Sequence, residues 1–508
     1  MEPVERHAWK PDESFDGGPL HCGNGLLLLI RKYIDTLNRG QLLEILSTEI
    51  SVDEDLPAWC RMTGNELVSW TKSGTQRSFL VCKGSLAERQ PAASPRPQKP
   101  PAGIQEVVAV RIPEFFPVPS PAPEIAPLSV MGIGSWPRPR WMLQAIHQHL
   151  EGKIPEDDFE STAQDAVRLA VDAQLRAGVD VVTDGEQRRD SYASFVGGLL
   201  DNCQLIPLTD LLPLVDDPEH FSKELDSLDV PASETRHPAV FGRLGRSRPL
   251  AVDEFEFART LTEKPIKVAL PGPYTLSRTM WMECISDRAY ESREHLAKDI
   301  VRVLREEAHY LLAAGVAVVQ FDEPVLTEAV HSGPKNKRSF MCGALSEKND
   351  PQQELAFAES LLRSLLSGLP RERLAVHICR GNWTPDESAA LVGDYRPLVP
   401  LLCSLPAGIL FLELCTPRAG EIEALRDIPK ETRIGVGVVN QKREQVESTA
   451  EILTRAEEAI RLFGAERVLL TPDCGFATFA DNPLSSATVA EAKLKAIVEA
   501  AKMLKQSR

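Results

Sequence analysis

From about residue 127 onward the chain repeats one pattern. A short apolar run is followed by a longer stretch, and this happens eight times, with helical periodicity clearest over 162–177 and 292–314. The apolar runs occupy 128–135, 179–186, 266–273, 316–324, 373–379, 408–414, 433–439 and 467–474. Strands that alternate with long helices predict an α/β fold with a parallel sheet, and eight is the number a (β/α)8 TIM barrel requires. The segment 200–260 exceeds any ordinary loop and is expected to be an insertion near the mouth of that barrel.

Barrel enzymes carry their chemistry at the C-terminal ends of the strands. Here those ends hold Ser135, Asp184, Glu186, Asp322, Glu323, His377, Cys379, Glu413, Asp473 and Cys474. Each alone has a plain explanation; Asp473, for instance, serves equally well as a cap for the segment after it. Together, on six of eight strands, they describe a site. His377 and Cys379 are two apart on an extended segment, so they point the same way. H-x-C recurs by chance, but Glu413 and Cys474 complete a set of N, S, O and S donors. Thiolates and an imidazole beside a carboxylate favour zinc over harder cations, and a displaceable Glu413 would leave the exchangeable position of a catalytic site.

Residues 15–85 predict a separate small two-helix α/β sandwich. A helix spans 25–38 and stops at Gly40, a strand follows over 41–46, and a second helix spans 51–62. The runs 66–70 and 78–82 flank Lys72-Ser73-Gly74-Thr75 and read as a hairpin. Leu20-His21-Cys22-Gly23-Asn24-Gly25-Leu26, with Ala58-Trp59-Cys60-Arg61-Met62-Thr63-Gly64-Asn65, resembles the TusA-like (SirA-like) sulfur-carrier family. That family has a Cys-Pro-x-Pro motif before its first helix, and its cysteine holds a persulfide. Cys22 falls on that cysteine, while Gly23 and Gly25 replace both prolines. A cysteine at a helix N-terminus has a depressed pKa, which suits a persulfide carrier. The alternative is a carrier fold kept as a docking module. Between this unit and the barrel, 86–126 reads as a linker, with ten of the chain's 39 prolines lying between Pro91 and Pro123.

Net charge of -16 argues against nucleic acid or an anionic membrane as partner. No stretch reaches the length of a membrane span, and the acidic start Met1-Glu2-Pro3-Val4-Glu5 is unlike a signal peptide, so a cytoplasmic protein is expected. The 10 cysteines are scattered, which suits a reducing compartment where most are buried apolar groups.

Residues 128 to about 505 resemble the catalytic C-terminal domain of cobalamin-independent methionine synthase and the wider zinc thiol alkyltransferase superfamily. The resemblance rests on Ile133-Gly134-Ser135-Trp136-Pro137, Asp184-Gly185-Glu186-Gln187-Arg188-Arg189, Pro271-Gly272-Pro273, Phe321-Asp322-Glu323-Pro324, His377-Ile378-Cys379, Glu413 and Pro472-Asp473-Cys474-Gly475. It implies zinc as cofactor, held by His377, Cys379, Glu413 and Cys474. It also implies a homocysteine site formed by Ile133, Ser135, Glu186 and Asp322, with the acids around the amine and Ser135 near the carboxylate. The full-length synthase has a further N-terminal barrel that helps bind polyglutamated folate. The carrier-like unit stands in its place here, so the resemblance implies another methyl donor, such as a corrinoid protein, or other chemistry. Three readings stay open. The first is zinc-dependent methyl or alkyl transfer to homocysteine or a related thiol. The second is sulfur transfer from a Cys22 persulfide, supplied by a sulfur-donor protein, to an activated carbon. The third is a non-catalytic binding protein for thiol amino acids.

Overall fold

A computed structural model describes residues 4, 6–18, 20, 26–89, 107–207, 236–282, 286, 289–331, 350–382, 385–480 and 483–507. Its contacts divide into two compact units, Met1–Gly103 with Pro207–Ser222, and Ile104–Ile206 with Lys223–Arg508.

The N-terminal unit runs β1 (Glu13–Asp16), α1 (Leu26–Thr36), β2 (Leu42–Ser47), α2 (Val52–Thr63), β3 (Glu66–Ser73) and β4 (Gln76–Cys82). The sheet order is β1-β2-β4-β3, with β1 parallel to β2 and the remaining pairs antiparallel. Alternation along the strands divides the apolar residues between two faces. Leu43, Ile45, Phe79 and Val81 pack with Leu29 and Ile30 of α1 and Leu56 and Trp59 of α2. Leu42, Leu80 and Cys82 form a separate cluster with Val68 and Leu86. The expected helices, strand and hairpin all form. β1 was not expected, because only Phe15 of its four residues is buried and no alternation marks it. Cys22, the expected persulfide carrier, lies outside the described residues, as does His21.

The larger unit contains α3 (Arg140–Leu150), α4 (Glu156–Ala177), β5 (Asp201–Pro207), β6 (Arg236–Gly245), α5 (Val252–Arg259), β7 (Lys267–Pro271), α6 (Pro273–Met280) and α7 (Arg293–Ala314). It continues with β8 (Val318–Asp322), α8 (Val325–His331), α9 (Pro351–Leu366), β9 (Leu374–Ile378), α10 (Val399–Ser404) and β10 (Ile409–Leu412). It ends with β11 (Arg433–Val439), α11 (Thr449–Phe463), β12 (Val468–Pro472) and α12 (Ala487–Gln506). Strands β7 to β12 form a parallel sheet in sequence order. This is a mixed α/β fold, with every residue of β7, β8, β9, β10 and β12 buried. Parallel strands covered on both faces read as continuous apolar runs, which is why the sequence shows them so clearly.

The two runs expected as the first strands of this unit are not ladders. They make isolated parallel bridges: Val130 with Leu470, Met131 with Val181, and Val182 with Ile266. Backbone bonds such as Leu470 N to Ser129 O at 3.0 Å and Lys267 N to Val182 O at 2.9 Å hold these bridges, and side chains supplement them. Asp180 Oδ2 accepts from Val130 N at 2.8 Å, Gln174 Oε1 accepts from Thr183 N at 3.0 Å, and Thr183 Oγ1 donates to Gly134 O at 2.8 Å. Met131, Ile133, Val181, Val318, Ala375, Ile409, Phe411 and Leu469, drawn from both bridged runs and four strands, form one apolar cluster. In the insertion, β5 and β6 make a two-stranded sheet.

Helix ends follow local chemistry. α4 begins with Glu156, Asp157 and Asp158 at the positive end of its dipole and stops at Gly178 with φ 87°. α11 starts with a capping box between Ser448 and Glu451. α12 packs against both α4 and α11. Residues 107–126, expected as part of the linker, lie along this unit. Ser120 N donates to Leu312 O at 3.1 Å, Arg373 Nη1 donates to Ser120 O at 2.6 Å, and Arg433 Nη1 donates to Ile125 O at 2.8 Å.

Candidate metal centre

β9 ends at Ile378, so His377 and Cys379 arrive at its C-terminal end on one face. β12 ends at Pro472 and delivers Asp473 and Cys474. The candidate ligand atoms of His377, Cys379 and Cys474 all lie within 4.8 Å of one another, and all three residues are buried. His377 Nδ1 is 2.9 Å from Asp322 Oδ1, while Nε2 is buried with no partner among the described residues. A buried polar atom without a partner is costly unless something else binds it. Metal-binding histidines normally present one ring nitrogen while a carboxylate holds the other.

The two thiols are tightly coupled. A hydrogen bond from Cys474, aided by the charge of His377, holds the Cys379 thiol below its usual range against the effect of burial. Burial, together with that bond, pushes Cys474 up. Glu413 lies just beyond β10 and outside the three-donor group. Its Oε1 accepts from Arg418 Nε at 2.7 Å and its Oε2 from Arg380 N at 3.0 Å. Asp473 does not face the donors as a ligand. Its Oδ1 accepts from Leu414 N at 2.9 Å and Cys415 N at 2.8 Å, so it ties the chain beyond β10 to the end of β12. Gly437 makes room for it, since a Cβ there would sit 2.0 Å from Asp473 Oδ1.

A small pocket opens beside the donors. Ile133, Ser135, Glu186 and Asp322 line it together with His377, Cys379 and Cys474. Glu186 has φ 54°, a conformation that non-glycine residues rarely adopt and that concentrates at functional sites. Burial, with Asp322 and Asp184 nearby, pushes its carboxyl up to about 7. Gly134 clears the space it fills, because a Cβ there would lie 2.0 Å from Glu186 Oε1. Ser135 Oγ accepts from Ala477 N at 3.3 Å. Glu323, also at a strand end, turns away from the pocket. It accepts from Tyr274 N and Thr275 N, both at 2.8 Å, and so caps α6.

Two supporting residues were not anticipated. Arg138 donates through Nη2 to Glu186 O at 2.5 Å and through Nη1 to Ala477 O at 3.1 Å. Asn382 Nδ2 donates to Gly475 O at 2.8 Å and Thr478 Oγ1 at 2.7 Å. Both sit in loops, where no periodicity signals a partner; their only mark was adjacency to the Ser135 and Cys379 stretches.

The chain is similar to known proteins over most of its length. The family described as "Cobalamin-independent synthase, Catalytic domain" matches residues 128–208, 220–355 and 371–503. A methionine synthase of Sulfolobus acidocaldarius is 26% identical over 353 residues, covering 69% of this chain and 86% of that protein. One from Saccharolobus solfataricus is 24% identical over 375 residues, covering 74% and 94% respectively. The structure of a B12-independent methionine synthase from Shewanella sp. W3-18-1, solved in complex with selenomethionine, aligns with a TM-score of 0.57 at 23% identity, covering 75% of this chain and 99% of that one. With a match that takes in all three donors and every pocket acid, this chain belongs to the family of cobalamin-independent synthase catalytic domains.

Proposed function

We propose that the protein is a zinc-dependent methyltransferase that moves a methyl or related alkyl group to the sulfur of homocysteine. The convergence of three buried donors within 4.8 Å of one another carries the reading, and the unpartnered Nε2 leaves His377 a nitrogen for the metal. The donor chemistry fits zinc: two thiols and an imidazole, with Glu413 beyond them as the displaceable fourth ligand. When bound, zinc would lower the pKa of a coordinated thiol, so that thiolate is available at neutral pH.

The chain's own residues bind and orient the substrate. Glu186 and Asp322 supply negative charge for the ammonium group, and Ser135 lies where a carboxylate would be received. Arg138 holds the Glu186 turn in place. Ile133 gives the pocket an apolar wall. The methionine synthase relatives and the selenomethionine bound in the Shewanella structure support an amino-acid thiol as substrate.

The reading extends to the whole chain. The bridges of Val130 to Leu470, Met131 to Val181 and Val182 to Ile266 support closure of the parallel sheet into an eight-stranded (β/α)8 barrel. Two helices against one face of a four-stranded sheet support a TusA-like N-terminal unit. Its role as a persulfide carrier through Cys22 is tested by intact mass after incubation with a cysteine desulfurase, beside a Cys22→Ala control.

The main test is a methyl-transfer assay on zinc-loaded protein with homocysteine, offering methyl-folate and methyl-corrinoid donors in parallel. Methionine formation, with one zinc per chain lost in Cys379→Ala, is the expected result. A protein that binds no zinc and methylates no thiol would overturn the proposal.

A further inference from the structure

Lys267, the first residue of β7, is fully buried at 0% exposure. Lysine is almost never fully buried without a charged partner, and no carboxylate bonds this one among the described residues. Its ammonium donates to Gln320 Oε1 at 2.6 Å and stands 4.2 Å from the centre of the Phe411 ring. Gln320, also 0% exposed, donates through Nε2 to Asp322 Oδ1 at 2.7 Å. The same Oδ1 is the atom that holds His377 Nδ1 at 2.9 Å. Gln320 and Asp322 are two apart on β8 and share a face. A continuous line of polar contacts therefore runs from the interior to the candidate metal centre.

Donor and acceptor chemistry gives that line a direction. An ammonium only donates, so it must meet the oxygen of the Gln320 amide, and the amide nitrogen must then face Asp322. Asp322 Oδ1 is occupied by two donors as a result. No described group bonds its Oδ2, and Asp322 lines the pocket.

We propose that Lys267, acting through Gln320, is a positioning residue for Asp322. It sets the amide so that Asp322 turns one oxygen to His377 and the other to the ammonium of the substrate. Its charge also offsets the anions gathered above it. Burial pushes the Lys267 ammonium down to about 7, and the neighbouring Asp322 and Glu186 act against that. The inference rests on the proposed function and deepens it, because one carboxylate then serves both the metal and the substrate.

The test uses the full chain carrying Lys267→Met or Gln320→Leu, which keep approximate volume and cut the line at different points. Zinc affinity is read by competition with a chromogenic chelator, homocysteine affinity by calorimetry, and folding by Tm. Loss of a group that orients a metal ligand typically weakens binding by about ten- to a hundredfold. That loss is expected in both variants for homocysteine, with a parallel fall in zinc affinity and a rise in KM that exceeds any fall in kcat. A folded Gln320→Leu protein with wild-type homocysteine and zinc affinity overturns the proposal, whatever Lys267→Met does. A lowered Tm with unchanged binding reduces the pair to structural roles and overturns it equally. Wild-type protein is the control for the underlying reading. If it binds zinc without homocysteine, that reading fails and zinc affinity alone judges the line; if it binds neither, both fall.

Discussion

Asp322 faces two demands, and substitutions separate them. In Asp322→Asn, the remaining oxygen still accepts from His377 and Gln320, while the new amide turns toward the pocket. Zinc is expected to stay bound while homocysteine KM rises about ten- to a hundredfold, whereas Asp322→Ala loses both; metal analysis beside steady-state kinetics checks this. Glu186 adds a pH dependence. With its pKa pushed up to about 7, it is protonated below that pH in the empty site and gives no charge to an ammonium. Homocysteine KM is expected to fall as pH rises through about 7, and the step should vanish in Glu186→Gln. Its effect on stability has the opposite sense. A carboxyl with a raised folded pKa holds its proton more tightly when folded, so its contribution is present at low pH and lost as pH climbs from 4.5 to about 7. The acids and donors were legible because they end apolar runs. The Asp322–His377 bond was not, since it joins residues 55 positions apart on neighbouring strands, and Arg138 was not, since its partners are loop carbonyls.

Elements were readable in proportion to the regularity of their burial. The expected helices at 162–177 and 292–314 appear as Glu156–Ala177 and Arg293–Ala314. The acidic first turn of α4 follows Pro155, which explains its earlier start. The strand runs that became single bridges looked no different in sequence, because their apolar residues fill the same interior cluster. What sets them apart is the short backbone pairing, beyond which Asp180, Gln174 and Thr183 bond Val130 N, Thr183 N and Gly134 O. Helix caps give a contrasting prediction. Ser448→Ala removes the capping box of α11 and should cost about 1 kcal/mol of stability. Since α11 contributes no pocket residue, urea unfolding should register that loss while homocysteine KM and zinc content stay unchanged.

At the scale of the molecule, two compact units predict two thermal transitions. Chelation of zinc should lower one of them and leave the other in place, because all three donors belong to the larger unit. Differential scanning calorimetry with and without chelator checks this, and Cys22→Ala should behave as wild type in both. The pairing of Val130 with Leu470 has a further consequence, in time. A ribosome makes Val130 about 340 positions before Leu470. Until β12 emerges, the opening run of the larger unit has nothing to bridge on that side, and Cys474 does not yet exist. The last-made strand of this sheet thus brings the missing neighbour and the missing donor together, so metal loading follows synthesis of residue 474, and any product that stops short of it is born without that donor.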